Sequence, residues 1–173
     1  MMTLEQARAA VPRHLGASKR AEHSVFVAHA MRRLAEGLGA DAELWEIVGL
    51  CHDLDYFETA EDRSRHGMLV ADWLEGDLPE EALDAIRAHD HRTGFRSETT
   101  IADGLRLADA LAIVDIRLGR DRAAELGAAL GESELRAILA AQPYLADMLI
   151  GISASLAVPL PRLAEICRSG PAQ

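Results

Sequence analysis

Apolar positions recur along the chain at three- and four-residue intervals, the spacing that gathers side chains on one face of an α-helix. In "AEHSVFVAHAMRRLAEGL", Val27, Ala30, Met31, Leu34 and Leu38 form one such stripe. In "TTIADGLRLADALAIVDIRLG", Ala102, Leu105, Ala112, Ile113 and Ile116 form another. No segment sustains two-residue alternation with β-branched residues, so strands are not required. Capping residues, glycines and prolines divide the pattern. Thr3 and Gln6 have capping-box spacing, and Pro12 is expected to end a first short helix. Ser18 suits the N-cap of a helix running to Gly37, and Asp41 the N-cap of the next, through "EIVGLCHDLDYFE". "ETAEDRSR" reads as a polar loop, followed by a helix from about Ser64 to Gly76. Asp77 and Pro79 open another that closes near His89. After the loop "DHRTGFRSE", a long helix is predicted from Thr99 to Leu118. Further helices are expected over Arg120 to Leu130, Ser133 to Ala141, and from Pro143 onward, with Pro159 and Pro161 interrupting. The tail "RSGPAQ" is expected to fray. The fold class is all-α.

At 173 residues, 49% of them apolar, the chain is expected to form one packed domain over 1–173. A net charge of −10 argues against binding a nucleic-acid backbone or an anionic membrane surface. Cys51 and Cys167 do not suggest a disulfide framework, and the N-terminus lacks the pattern of a signal peptide. The apolar stretch "MLIGISASLAVPLP" is short and proline-broken, reading as a core helix rather than a membrane span. A cytoplasmic protein is therefore expected.

Six polar residues disturb this pattern of stripes. His23 lies on the stripe of its helix, whereas His29 sits about 120° away and is expected to face outward. Asp109 shares the apolar face of the long helix, with Asp103 and Asp115 off that line. His66 heads the stripe Leu69, Val70, Trp73, and His89 closes the stripe Ala82, Ile86. His52 and Asp53 follow directly on the apolar run Ile47–Cys51. Each alone is explained by a local hydrogen bond or a helix end at solvent. Together, four histidines and two aspartates from five predicted helices are costly to bury separately. Convergence on one or two cations removes that cost.

The order His23, His52-Asp53, Asp109 resembles the HD superfamily of metal-dependent phosphohydrolases. The likeness runs from about residue 19 to 117, and "GLCHDLDY" is its most specific part. "HDLDYFET…RHGMLVADWL…AIRAHDH…LADAL" is similar to small stand-alone bacterial HD hydrolases. The resemblance implies an HD-type helical bundle, with residues 118–168 as additional helices and 169–173 as tail. It implies metal ligands at His23, His52, Asp53 and Asp109. Asp53 would bridge to a second ion held with His66 and His89, and Asp53, His66 and His89 would carry catalysis. The lysine that many members carry shortly after the HD pair is absent. Asp55 and Glu58 stand in that region; either could serve as an acid or base or cap the helix end, and the solvated reading is preferred.

Imidazole–carboxylate ligation suits Mn²⁺, Fe²⁺, Zn²⁺ or Co²⁺, as one or two divalent transition-metal ions. The expected reaction is hydrolysis of a small phosphate ester or nucleotide by a metal-activated water. An acidic protein needs local cations for such a substrate, and Arg63, Arg65, Arg92 and Arg96 flank His66 and His89, with Lys19 and Arg20 before His23. The same ligands would serve a di-iron oxygenase equally well. A non-catalytic helical binding domain is the weakest of the three readings. The helices after residue 118 either complete the bundle or form a homodimer contact; periodicity does not choose.

Overall fold

The computed structural model describes residues 1–126 and 131–168, with only the backbone described for 117–126 and 168. Its elements are α1 (Leu4–Leu15), α2 (Lys19–Leu38), α3 (Ala42–Cys51), α4 (Met68–Trp73), α5 (Glu80–Ala88), α6 (Thr100–Leu126), α7 (Glu132–Ile138), α8 (Pro143–Ser155) and α9 (Leu160–Arg168). Short 3-10 turns cover Arg63–Arg65 and His91–Thr93, and the described residues contain no β-strand. The protein is all-α, as the apolar spacing requires.

The caps set the helix starts. Thr3 and Gln6 exchange both bonds of a capping box. The Ser18 side chain accepts from Ala21 N–H, and Asp41 accepts from the N–H groups of Glu43 and Leu44. The ends depart from expectation. Pro12 lies inside α1 rather than ending it, and the helix continues to Leu15 and closes at Gly16. Gly37 stays helical, and Gly39, at φ +68°, makes the left-handed stop of α2. The helix expected from Ser64 begins only at Met68, after a 3-10 turn and a left-handed Gly67. α6 continues past Leu118 to Leu126, so the expected break near Arg120 is absent. Residues 127–130 and the tail 169–173, expected to fray, lie outside the described residues.

One hydrophobic core runs from Ala7 to Cys167. α2 and α3 pack closest, because Gly49 has no side chain: a Cβ there would come within 2.5 Å of the Ala28 backbone. This approach brings the end of α3 against the first half of α2. Glu46, itself buried, is gripped from both sides by Arg8 (2.7 Å) and Arg32 (2.7 Å), tying α3 to α1 and α2. α6 is central, packed against α2, α5, α8 and α9. Ile116, expected on the inward face of α6, is 77% exposed; burial depends on which neighbour reaches that turn. The proline-interrupted stretch read as a core helix spans the end of α8 and the start of α9, which are bent by 108° across the Pro159 region; Leu149 of α8 and Leu163 of α9 are buried. No single helix among the described residues is long and apolar enough to cross a membrane.

Candidate metal centre

Two of the histidines are placed by the same local device. A helix leaves its last carbonyls without intrahelical partners. His52 follows the end of α3, and its Nδ1 lies 2.8 Å from the carbonyl of Gly49. His89 follows the end of α5, and its Nδ1 lies 2.7 Å from the carbonyl of Ile86. Donation from Nδ1–H to a carbonyl leaves Nε2 as the unprotonated nitrogen, turned away from the helix end. His23 comes from the second turn of α2 and Asp109 from the middle of α6. Asp53 sits one residue past His52.

These side chains converge. His23 Nε2 is 3.0 Å from Asp109 Oδ1 and 3.5 Å from Asp53 Oδ2, and His52 Nε2 is 3.5 Å from Asp53 Oδ2 and 3.9 Å from Asp109 Oδ1. On the other side of the same carboxylate, His66 Nε2 is 2.9 Å and His89 Nε2 is 3.6 Å from Asp53 Oδ1. Asp53 thus turns one oxygen to His23 and His52 and the other to His66 and His89. Ligand atoms about 2.1 Å from one ion lie roughly 3 Å apart at right angles and about 3.4 Å apart at tetrahedral angles; the separations here run from 2.9 to 3.9 Å, close to that range.

The fit to a metal has a second, independent sign. His23 Nε2 and His52 Nε2 are buried and make no hydrogen bond among the described residues, although carboxylate oxygens lie nearby. Buried lone pairs aimed at carboxylates suit a cation between them. One ligand atom each from His23, His52 and Asp109 lies within 4.8 Å of the others, and the same holds for His52, Asp53 and His89.

Electrostatics follows burial. The His52 side chain is 0% exposed, and burial pushes its pKa down to about 4, so the ring is neutral at ordinary pH. Burial alone would raise Asp53, but His52, His66 and His89 hold it well below the carboxylate range. Burial opposes the charged form of Asp109 too; His23 and His52 still draw it lower. Burial works against charge on His66, yet its bonds to Asp53 and Asp55 raise it to about 9.

Asp55 corrects the expectation of a solvated residue. It is fully buried, with Oδ1 2.8 Å from His66 Nδ1 and Oδ2 accepting from the N–H groups of Gly67 (2.8 Å) and Val70 (3.1 Å). It therefore orients His66 and caps α4, whose Gly67 has no side chain to do so. Gly67 is confined in turn: its φ is +81°, and a Cβ would lie 2.5 Å from the Ile86 carbonyl and 3.0 Å from the His89 ring. The spacing D-L-D after the histidine was the available signal, but a wheel drawn on α3 cannot follow the turns beyond Cys51. Glu58 is exposed, as expected. His29, expected outward, is half-buried on α2.

The centre opens into a cavity of about 830 Å³ lined by five guanidiniums, Arg20, Arg63, Arg92, Arg96 and Arg106, against the carboxylates Asp53, Asp90 and Asp109. Arg65 is not on this wall; it is exposed, since residues two apart in a 3-10 turn point about 120° from one another. Arg106 was not among the cations expected near the site; of the pair noted before His23, Arg20 lines the cavity and Lys19 does not. Arg20 pairs with Asp53 Oδ2 at 2.8 Å, Arg92 pairs with Asp90, and Arg106 with Asp103 at 2.5 Å. Arg63 and Arg96 have no carboxylate in ion-pair range among the described residues. Arg20 and Arg63 cover the two faces of Tyr56, at 3.8 and 4.1 Å from the ring centre.

A helical bundle whose helices bring histidines and aspartates to one point offers a candidate metal centre. The chain belongs to the HD-domain family: the family's model matches residues 20–113, more than half of the chain. That family generally comprises metal-dependent phosphohydrolases. Comparison with curated proteins and with solved structures returned no significant match.

Proposed function

We propose that this protein is a metal-dependent phosphohydrolase that cleaves a small phosphate ester or nucleotide. The observation that carries the reading is the placement of Asp53, one oxygen toward His23 and His52 and the other toward His66 and His89. That arrangement supports two divalent ions, one held by His23, His52, Asp53 and Asp109, the other by Asp53, His66 and His89. Mn²⁺, Fe²⁺, Co²⁺ and Zn²⁺ all match the mixed nitrogen and oxygen donors. Bound there, such ions would lower the pKa of a water and neutralise charge on phosphoryl oxygens.

The chain's own residues do the rest. Asp55 holds the His66 ring so that Nε2 faces the centre. Carbonyls of Gly49 and Ile86 do the same for His52 and His89. Arg96 has no carboxylate partner in range and is placed to take phosphate oxygens bidentately; Arg63, anchored by a bond from Nη1 to the Tyr56 carbonyl (3.0 Å), keeps its remaining N–H groups for them. The excess of guanidiniums over carboxylates in the cavity of an acidic protein favours an anionic substrate, as a phosphate ester is.

The test is metal depletion followed by separate loading with Mn²⁺, Fe²⁺, Co²⁺ and Zn²⁺, with assay against a broad panel of phosphate monoesters and nucleotides. Activity with at least one metal is expected. His66→Ala and His89→Ala are each expected to lower bound metal from two equivalents toward one. Inactivity under all four metals in fully loaded protein would remove the hydrolase reading.

A further inference from the structure

The phosphate and metals account for only part of the cavity. About 830 Å³ is the size of a site for a drug-sized molecule, far beyond one phosphate group. Along α6 the cavity-facing residues are Arg106, Asp109 and, one turn further, Ile113. The lining therefore passes from cation to ligand carboxylate to hydrocarbon along a single helix. Beyond Ile113 it continues onto α8 with Tyr144, Leu145 and Met148, and Phe95 joins it from the loop before α6. Tyr144 is 62% exposed, and Phe95, Ile113 and Met148 are each only half-buried. Tyr144, Phe95 and Met148 add two aromatic rings and a thioether to the lining, and these have no use for a bare phosphate. They are the side chains that hold a flat apolar ring. α8 lies outside the family-matched residues 20–113, so Tyr144, Leu145 and Met148 belong to the part of the chain that the family match does not cover, while Phe95 and Ile113 lie within it.

We infer that the alcohol portion of the substrate carries an aromatic ring, seated against Tyr144, Met148 and Phe95, and that α8 sets this preference. The inference rests on the phosphohydrolase reading for the position of the phosphate. Simple aryl phosphates and nucleoside phosphates share the chemistry.

The test measures binding of phosphonates, which have no ester bond to cleave, to the Mn²⁺-loaded protein by titration calorimetry. Phenylphosphonate is expected to bind roughly tenfold tighter than methylphosphonate, the size of one good aromatic contact. Tyr144→Ala combined with Met148→Ala should erase that preference while leaving methylphosphonate affinity unchanged, and Tyr144→Phe should keep it. A phosphonate analogue of adenosine 5′-phosphate binding tighter than phenylphosphonate assigns the ring to a nucleobase; the reverse order assigns a simple aryl group. Equal affinity for phenyl- and methylphosphonate, or a preference that survives the double substitution, overturns the inference while leaving the phosphohydrolase reading standing. Failure of both phosphonates to bind removes the two together.

Discussion

Replacing Asp55 by alanine is the sharpest test of how the centre is held. Its carboxylate accepts three bonds, from His66 Nδ1 and from the N–H groups of Gly67 and Val70, and all four residues are buried. Each buried donor left without a partner costs about 1–3 kcal/mol, and water entering the vacated space recovers part of it. The expected loss is therefore about 3–5 kcal/mol. For a chain of this length each kcal/mol lowers the melting temperature by about 2–4 °C, which gives a fall on the order of 10 °C in metal-free protein, read by calorimetry. Freed from Asp55, His66 should also hold metal about 10–100-fold more weakly, read by metal titration. Asp55→Asn separates the roles. Its amide oxygen can still cap α4, so most of the melting temperature returns, but the charge behind His66 does not, and metal affinity stays low. A melting temperature within about 2 °C of wild type, with metal affinity unchanged in Asp55→Ala, refutes the reasoning.

Gly67→Ala should reduce both stability and metal content, because its Cβ must displace the Ile86 carbonyl or the His89 ring; normal stoichiometry in a normally folded variant contradicts this. The pH dependence of stability should carry a contribution from Glu46. Its carboxyl, against the push of burial, is held below the ordinary 4.5 by Arg8 and Arg32. A lowered folded-state pKa stabilises fully above the unfolded value and is lost as pH falls through the folded one. Glu46→Gln should therefore lower the melting temperature at pH 6, with the difference from wild type shrinking near pH 3, about a unit below the unfolded value; a constant difference across that range is the contrary result. Among the arginines, Arg65→Ala should leave kinetics unchanged, whereas Arg96→Ala should raise KM by roughly 10-fold, as for one charge-assisted hydrogen bond. Equal effects in steady-state assays would mean that exposure on the 3-10 turn was the wrong guide.

Much of this protein is written in one-dimensional pattern. Caps at Thr3, Ser18 and Asp41 and the three- and four-residue spacing of apolar side chains are local properties, and local physics sets where helices begin and which face turns inward. His23, His66 and His89 could be noticed because each interrupts or ends such a face. Asp55 could not be placed this way. It lies in turns after α3, and its partners His66, Gly67 and Val70 are met only when α4 folds back on it. The same is true of the arginines: sequence put Arg20, Arg63, Arg65, Arg92 and Arg96 near the histidines, while packing turned Arg65 outward and brought Arg106 in. Helix endings such as Gly39 in place of Gly37 were settled by which glycine took the left-handed stop. The amino-acid order by itself determined the all-α class, most helix starts and the residue types capable of holding a metal. Only the tertiary structure decided the division of Asp53 between two sets of histidines, the burial of Asp55 and the meeting of α8 with the cavity. Those depend on distances between segments far apart in the chain, which periodicity does not encode.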